Sequence, residues 1–342
     1  MHPNTNPSAL SRRDALRLLG FTGVIAALPS LVARAADPAP APAPIPPTPA
    51  GGPPSLAGTQ PGFYRFRIGD FEALALNDGG FGGPLDQSPW PSAPREALAA
   101  TLTAAFLPAD RFALPFNVLL VRMGSELVLI DSGAGTVFGP AGGRLPARLA
   151  AAGVKPEQIT AVFLSHAHGD HFGGLLDAQM QPAFKNARHF MGRREWDYWT
   201  GPVPADPQKQ ASFKGAQTYL KALEKKWQFI APGDPLLSGL EIVEAYGHTP
   251  GHLAFRFTSG KDQLLHLVDT AHHHAVSFGH PEWVLGFDVE PQVAIATRQK
   301  ILDRVAADRT RIFAAHVPFP GLGHLRRAGA GFEYVIEPWS VD

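Results

Sequence analysis

Cysteine is absent from all 342 residues. That excludes disulfides, thiolate metal ligands, a cysteine nucleophile and lipid attachment at a processed amino terminus. Any metal must therefore be held by nitrogen and oxygen. A charge excess is also missing, because Lys+Arg and Asp+Glu both number 30. Such a balance points neither to nucleic acid nor to an anionic membrane surface. There is no repeat of fixed period and no Gly-x-Ser-x-Gly turn of the kind that carries a serine nucleophile. The apolar run from about Leu16 to Val32 is interrupted by Gly20, Gly23 and Pro29, and is short for a permanent membrane span.

What stands there instead reads as an export signal. "SRRDALRLLGFTGVIAALPSLVARAA" has a twin arginine, Arg12-Arg13, then the apolar stretch, then a small-x-small site at Ala33-Arg34-Ala35. Residues 1–35 are expected to be a twin-arginine (Tat-like) signal peptide, although Ala15 stands where a large apolar residue is usual; a Sec signal or an uncleaved anchor is the alternative. A periplasmic or secreted location follows, with no stable membrane span after cleavage. Removing the signal takes away Arg12, Arg13, Arg17, Arg34 and Asp14, leaving 26 basic and 29 acidic side chains, a formal charge of −3. Residues 36–58, "ADPAPAPAPIPPTPAGGPPSLAG", offer little to bury and few backbone donors, so they read as a solvated tether. The folded domain is expected over 59–342.

Short strands recur from about Gln60 onward. "FYRFRIGDFEALALN" predicts a hairpin turning at Gly69-Asp70, and "FNVLLVRMGSELVLIDSG" another turning near Gly124-Ser125. A helix is expected over roughly 143–152, ending at Gly153. "ITAVFLS" reads as a buried strand, with further strands near 240–245, 252–258 and 263–268. A helix follows over about 291–307, and "RIFAAH" reads as a last strand ending at His316. Residues 185–230, rich in aromatics and helix formers, look like an insertion or cap. Two batches of strands, each followed by helices, suit two sheets packed face to face with helices outside.

Directly after "ITAVFLS" come His166, His168, Asp170 and His171, four ligand-type side chains in six positions. In a tight connection His-x-His can aim both imidazoles at one ion, while Asp170 and His171, one turn on, face a second. "AYGHTPGH" adds His248, "FAAHVPFPG" adds His316, and "LLHLVDTAHHH" adds Asp269 just past a strand end, where a carboxylate can bridge two ions. Five histidines and two aspartates suit zinc, manganese, iron or cobalt. Gly173 and Gly174 are expected to give the chain room to turn into the next helix. The adjacent His272, His273 and His274 cannot all face one site; His272 is the candidate to line the pocket, with a solvated loop as the alternative. His252 reads as a structural hydrogen-bonding residue, and His189, His266, His280 and His324 receive no role. Trp196, Tyr198 and Trp199 are candidate pocket walls, with the core of a cap helix as the alternative.

His166-x-His168-x-Asp170-His171, followed in order by His248, Asp269 and His316 and preceded by "LVLIDSGAG", resembles the metallo-β-lactamase superfamily over residues 62–340. "GRLPARLAAAGVKPEQITAVFLSHAHGDHFGGL" and "HVPFPGLGHLRRAGAGFEYV" look like the branch holding methyl parathion hydrolase and related lactonases. The resemblance implies an αββα sandwich with two divalent ions at its edge, zinc first among the candidates. His166, His168 and His248 would hold one ion, Asp170, His171 and His316 the other, Asp269 would bridge them, and Asp131 would orient ligands from beneath. It also implies a hydrolase acting on a small ester-like substrate, a lactone or phosphotriester. The nucleophile would be a hydroxide bridging the ions, since bound water ionises near pH 7. Asp170 would orient that hydroxide and carry its proton. A periplasmic β-lactamase, or another ester or thioester metallohydrolase of this fold, is the alternative. The β-lactamase reading suffers because one dinuclear subclass has cysteine where Asp269 stands. A homodimer is implied by the resemblance alone.

Overall fold

The structure is a computed structural model that describes residues 61–340. The signal and tether expected over 1–58 lie outside the described residues.

Alternation builds the first hairpin. In β1 (Phe63–Ile68) Tyr64, Phe66 and Ile68 point inward while Arg65 and Arg67 face solvent. The chain turns at Gly69-Asp70 into β2 (Phe71–Pro84), with Ile68 opposite Phe71. After α1 (Arg95–Ala104), β3 (Arg111–Met123) and β4 (Glu126–Ile130) form the second expected hairpin, with Met123 opposite Glu126. From β4 onward the sheet is parallel. It gains β5 (Ala161–Leu164) after α2 (Leu145–Ala151), then β6 (Arg188–Gly192) after the single-turn α3 (Gly169–Phe172). Helices α4 (Arg193–Thr200) and α5 (Pro207–Ala222) lead to β7 (Trp227–Ile230). Strand β5 is apolar along its whole length because both faces of a parallel strand are covered.

The second sheet contains β8 (Leu240–Glu244), β9 (Leu253–Ser259) and β10 (Asp262–His266). After α6 (Val276–Gly279) and α7 (Pro291–Asp308) come β11 (Arg311–Phe313), β12 (Leu322–Ala328) and β13 (Gly331–Ile336). The first sheet runs in order from β1 to β7; the second is ordered β13-β12-β11-β10-β9-β8. Between the sheets Leu119, Val121, Ile130 and Phe163 meet Phe255, Phe257, Leu264 and Phe313. The outer face of the first sheet packs Leu120, Leu129 and Val162 on Leu149, Phe172 and Leu220. The outer face of the second packs Leu265 and Ile312 on Phe278, Leu302 and Val305. Two mixed sheets flanked by helices make the expected αββα sandwich. No helix among the described residues is long and apolar enough to cross a membrane.

Three expectations need correction. Residues 185–230 are not simply a cap, because β6 and β7 are integral strands of the first sheet. Buried His189 breaks the apolar run that would have announced β6. "RIFAAH" leaves its ladder at Phe313. Ala314 N–H then binds Gly321 O and Asn117 N–H binds Ala315 O, and the strand is followed by the β12–β13 hairpin. Finally, Gly173 keeps right-handed helical angles and no helix follows it directly. A Cβ on Gly173 would lie 2.0 Å from Ala134 O, and one on Gly174 2.0 Å from Ser132 O. Glycine is required because two backbones touch.

Asp78, at the bulge of β2, is buried and accepts the backbone N–H groups of Ala134 (2.8 Å), Gly143 (3.0 Å) and Leu145 (2.6 Å). It thereby stitches the 133–145 connection to the sheet. Asp78→Ala should cost about 2–4 kcal/mol by urea unfolding, since three enclosed donors lose their partner. Burial and the charge of Lys226 hold His189 down at about 4, against 6.5 for a free histidine. The unfolded chain then binds the extra proton between those values, so this share of stability is present above about pH 6.5 and lost toward pH 4. The loss should amount to roughly 3 kcal/mol, and His189→Phe should flatten that part of the pH–stability curve.

Candidate metal centre

The site is assembled at strand ends. Asp131 follows β4 in a left-handed conformation (φ 62°), which is costly for a residue with a Cβ and must be held by its partners. Its Oδ1 accepts Ser165 N–H and its Oδ2 accepts Ser165 Oγ–H, both at 2.8 Å, locking the end of β5. His166 Nδ1–H donates to Ser165 Oγ (2.9 Å), and His171 Nδ1–H donates to Asp131 Oδ2 (2.8 Å). His168 is extended, and α3 then curls Asp170 and His171 back toward it.

Two other histidines are oriented in the same way. His248 Nδ1–H donates to Asp288 Oδ1 (2.9 Å) and His316 Nδ1–H to Pro115 O (2.8 Å). With Nδ1 protonated outward, four imidazoles turn an Nε2 lone pair inward, as metal ligands do. His168 presents Nδ1 instead, 3.2 Å from His166 Nε2 and 2.9 Å from His248 Nε2.

The inward atoms fall into two clusters around one carboxylate. His166 Nε2 and His248 Nε2 lie 3.5 and 3.3 Å from Asp269 Oδ2, completing a group with His168. His171 Nε2 and His316 Nε2 each lie 3.2 Å from Asp269 Oδ1 and 3.6 Å from Asp170 Oδ2. Ligands 2.0–2.1 Å from a tetrahedral ion sit about 3.3 Å apart, so these separations match edges of a coordination shell. His171 Nε2 and Asp269 Oδ1 are buried without a hydrogen-bond partner. Lone pairs facing each other without water are stable only with a proton or a cation between them, so this donor set fits divalent ions.

Electrostatics agree. Burial and the neighbouring imidazoles hold His166 and His168 well below 6.5, in the neutral form that ligates. Burial opposes charge on His171, but Asp269, Asp170 and Asp131 outweigh it and hold that imidazole well above its usual value. Burial likewise opposes charge on His248, which Asp269 and Asp288 nevertheless raise to about 9. Burial would raise Asp269, yet His171, His316, His272 and His166 keep its carboxyl well below the usual range. The centre therefore calls for positive charge that protons or metal ions can supply.

Above it opens a cavity of about 590 Å3 with His168, Asp170, His248, Asp269 and His316 at its base and Phe81, Phe116, Phe138, Phe213 and Phe287 among its walls. Trp199 and Tyr198 line it; Trp196 does not, since its ring packs edge-on to Phe229. His272 lines it too, donating Nε2–H to Asp269 Oδ2 (2.9 Å) and stacking on His316. His273 turns away, its Nδ1 accepting the N–H groups of Ala275 and Val276. His252 has the structural role expected of it. Its Nδ1–H donates to Ala245 O (2.8 Å) and its Nε2 accepts Asp269 N–H (3.2 Å).

Sequence reasoning missed Glu195. It is fully buried and accepts Ala167 N–H (2.9 Å), Trp199 Nε1–H (2.6 Å), Thr249 Oγ1–H (2.7 Å) and Gly251 N–H (2.9 Å). One carboxylate thus ties the His166–His168 loop to the His248 loop. Asp288 was missed as well, and nothing local to either acid marks it: "RREWDYW" reads as an ordinary polar helix face.

The sequence profile of the Metallo-beta-lactamase superfamily matches residues 112–316. Among solved structures, AidC, a dizinc quorum-quenching lactonase in complex with a product N-hexanoyl-L-homoserine, has a TM-score of 0.78 and 31% identity, covering 82% of this chain and 98% of that one. The hydrolase AbOPH, of the beta-lactamase superfamily, has a TM-score of 0.76 and 27% identity, covering 83% of this chain and 100% of that one. An N-acyl homoserine lactonase of Bacillus cereus is 26% identical over 167 residues, 48% of this chain, and the match spans 58% of that relative's length. The chain belongs to the metallo-beta-lactamase superfamily and resembles the lactonase-like metal-dependent hydrolases within it.

Proposed function

We propose that the protein is an exported dinuclear metallohydrolase of ester-like bonds, with a lactone as the first substrate class and a phosphotriester as the second. The observation that carries this reading is Asp269 at the base of an aromatic cavity: its Oδ2 faces His166 and His248, its Oδ1 faces His171, and His316 lies 3.2 Å from both oxygens. The lactonase relatives favour the lactone, and the largely apolar walls suit an uncharged substrate with an apolar arm.

His166, His168, His248 and Asp269 would hold one divalent ion, and Asp170, His171, His316 and Asp269 the other, with zinc first and manganese, iron or cobalt as alternatives. Two such ions supply a water-derived nucleophile at neutral pH and a Lewis acid for the oxygen under attack. The chain does the rest. Asp131, Asp288 and the Pro115 carbonyl fix the imidazole tautomers, and the aromatic walls exclude bulk water. Asp170 reaches the cavity. It takes the proton released as water attacks the carbonyl carbon or phosphorus, and returns it to the alkoxide as the old ester bond breaks. Residues 1–35 direct twin-arginine export, so the enzyme works in the periplasm or outside the cell.

The test is hydrolysis of an acyl-homoserine lactone, an aryl phosphotriester and a cephalosporin by protein reconstituted with zinc or with manganese. Lactone turnover should be fastest, should vanish with a chelator and return with the ion, and should fall at least 100-fold in Asp170→Asn. Turnover of the cephalosporin alone would overturn the substrate class. For export, Arg12→Lys/Arg13→Lys should leave the protein in the cytoplasmic fraction; unchanged export would remove the twin-arginine route.

A further inference from the structure

We propose that Arg298 is a positioning residue for the metal centre: through Asp288 it fixes the His248 imidazole, and with the same guanidinium it holds the backbone next to Asp269. The proposal rests on the metal reading given above.

Arg298 lies in the interior of α7 and is only 2% exposed. An arginine is buried this deeply only when its donors are met. Here Nε–H donates to Thr270 O (2.9 Å), Nη1–H to Pro281 O and Trp283 O (3.1 Å each), and Nη2–H to Asp288 Oδ2 (2.9 Å). Thr270 directly follows Asp269. The 281–288 segment supplies Gly286, Phe287 and Asp288 to the cavity wall. The other oxygen of Asp288 accepts the His248 Nδ1 proton at 2.9 Å. One planar cation thus joins the loop that carries His248 to the loop that carries Asp269.

The arrangement does what Asp288 alone cannot. A carboxylate bonded only to His248 is free to rotate and take the imidazole with it. Pinning its far oxygen fixes the carboxylate plane and therefore the direction of the His248 Nε2 lone pair. Outer partners of ligating histidines typically contribute 10–100-fold in metal affinity. Lysine cannot replace the fork, because a single ammonium cannot reach four acceptors spread over two segments. Nor does stability alone account for the pair, since a buried ion pair is often no more stabilising than apolar residues of equal volume.

The experiment measures zinc affinity of the full chain by competition with a chromophoric chelator. It compares wild type with Asp288→Asn, Arg298→Met, Arg298→Lys and the double variant Arg298→Met/Asp288→Asn. Thermal unfolding of each metal-free protein is recorded alongside. In Asp288→Asn one of two zinc equivalents should bind 10–100-fold more weakly while the other is unchanged; Arg298→Met should weaken the same equivalent by at least as much and, because Asp269 serves both ions, the other as well, with Arg298→Lys in between. The double variant should regain unfolding temperature over Arg298→Met, because no unpaired carboxylate is left buried, yet should not regain zinc affinity. Wild-type affinity in Asp288→Asn, or affinity that recovers together with stability in the double variant, would overturn the proposal and leave a purely structural pair. If Arg298→Met does not fold, Asp288→Asn and Arg298→Lys decide. A wild type that binds no zinc refutes the metal reading and this proposal together. Two bound equivalents with unaffected variants refute this proposal alone.

Discussion

A carboxylate with almost no access to water, surrounded by imidazoles, governs the architecture of this molecule. Asp269 is 2% exposed, and His166, His171, His248, His272 and His316 all approach its oxygens within 3.5 Å. A buried charge is tolerated only when it is paired and fully hydrogen-bonded. Four of these rings are themselves constrained from behind: His166 by Ser165, His171 by Asp131, His248 by Asp288 and His316 by the Pro115 carbonyl. Even the Asp269 backbone is held, its N–H donating to His252.

The same physics recurs one layer out. The candidate ligands sit on connections beyond strand ends, where no ladder satisfies the backbone, and buried charged side chains take over that task. Asp78 gathers the 133–145 connection, Glu195 joins the loops of His168 and His248, and Arg298 joins those of His248 and Asp269. Each accepts or donates several bonds, which offsets the cost of its burial. The cavity above is apolar for a related reason. Electrostatic interactions among the ligands are strong only where water is scarce, and the aromatic walls keep it scarce.

Much of the candidate centre was legible because its ligand-type side chains are dense and local, with the order of the later ones supplied by the family resemblance. Four coordinating side chains between His166 and His171 have no ordinary structural explanation, and His248, Asp269 and His316 each follow a strand end within a turn. The hairpins at Gly69 and Gly124 were equally plain from alternation. Glu195, Asp288, Arg298 and Asp78 were not, because each acts across a long stretch of chain and carries no spacing signature. Glu195, for example, bonds partners 28 and 56 residues away. Trp196 and Trp199 are a subtler case: both lie on α4, and which ring meets the cavity depends on where β7 places Phe229.

The sequence by itself pointed to two facing sheets with helices outside, to a group of ligand-type side chains at His166–His171 and to the exclusion of sulfur, because each follows from period, close spacing or composition; the αββα sandwich by name came with the family resemblance. Only the tertiary structure decided that Asp269 lies between the His166/His168/His248 and Asp170/His171/His316 groups, that His272 rather than His273 meets the site, and that Glu195 and Arg298 hold the loops in place. Those outcomes depend on distances between residues far apart in the chain, and such distances exist only once the two sheets have packed.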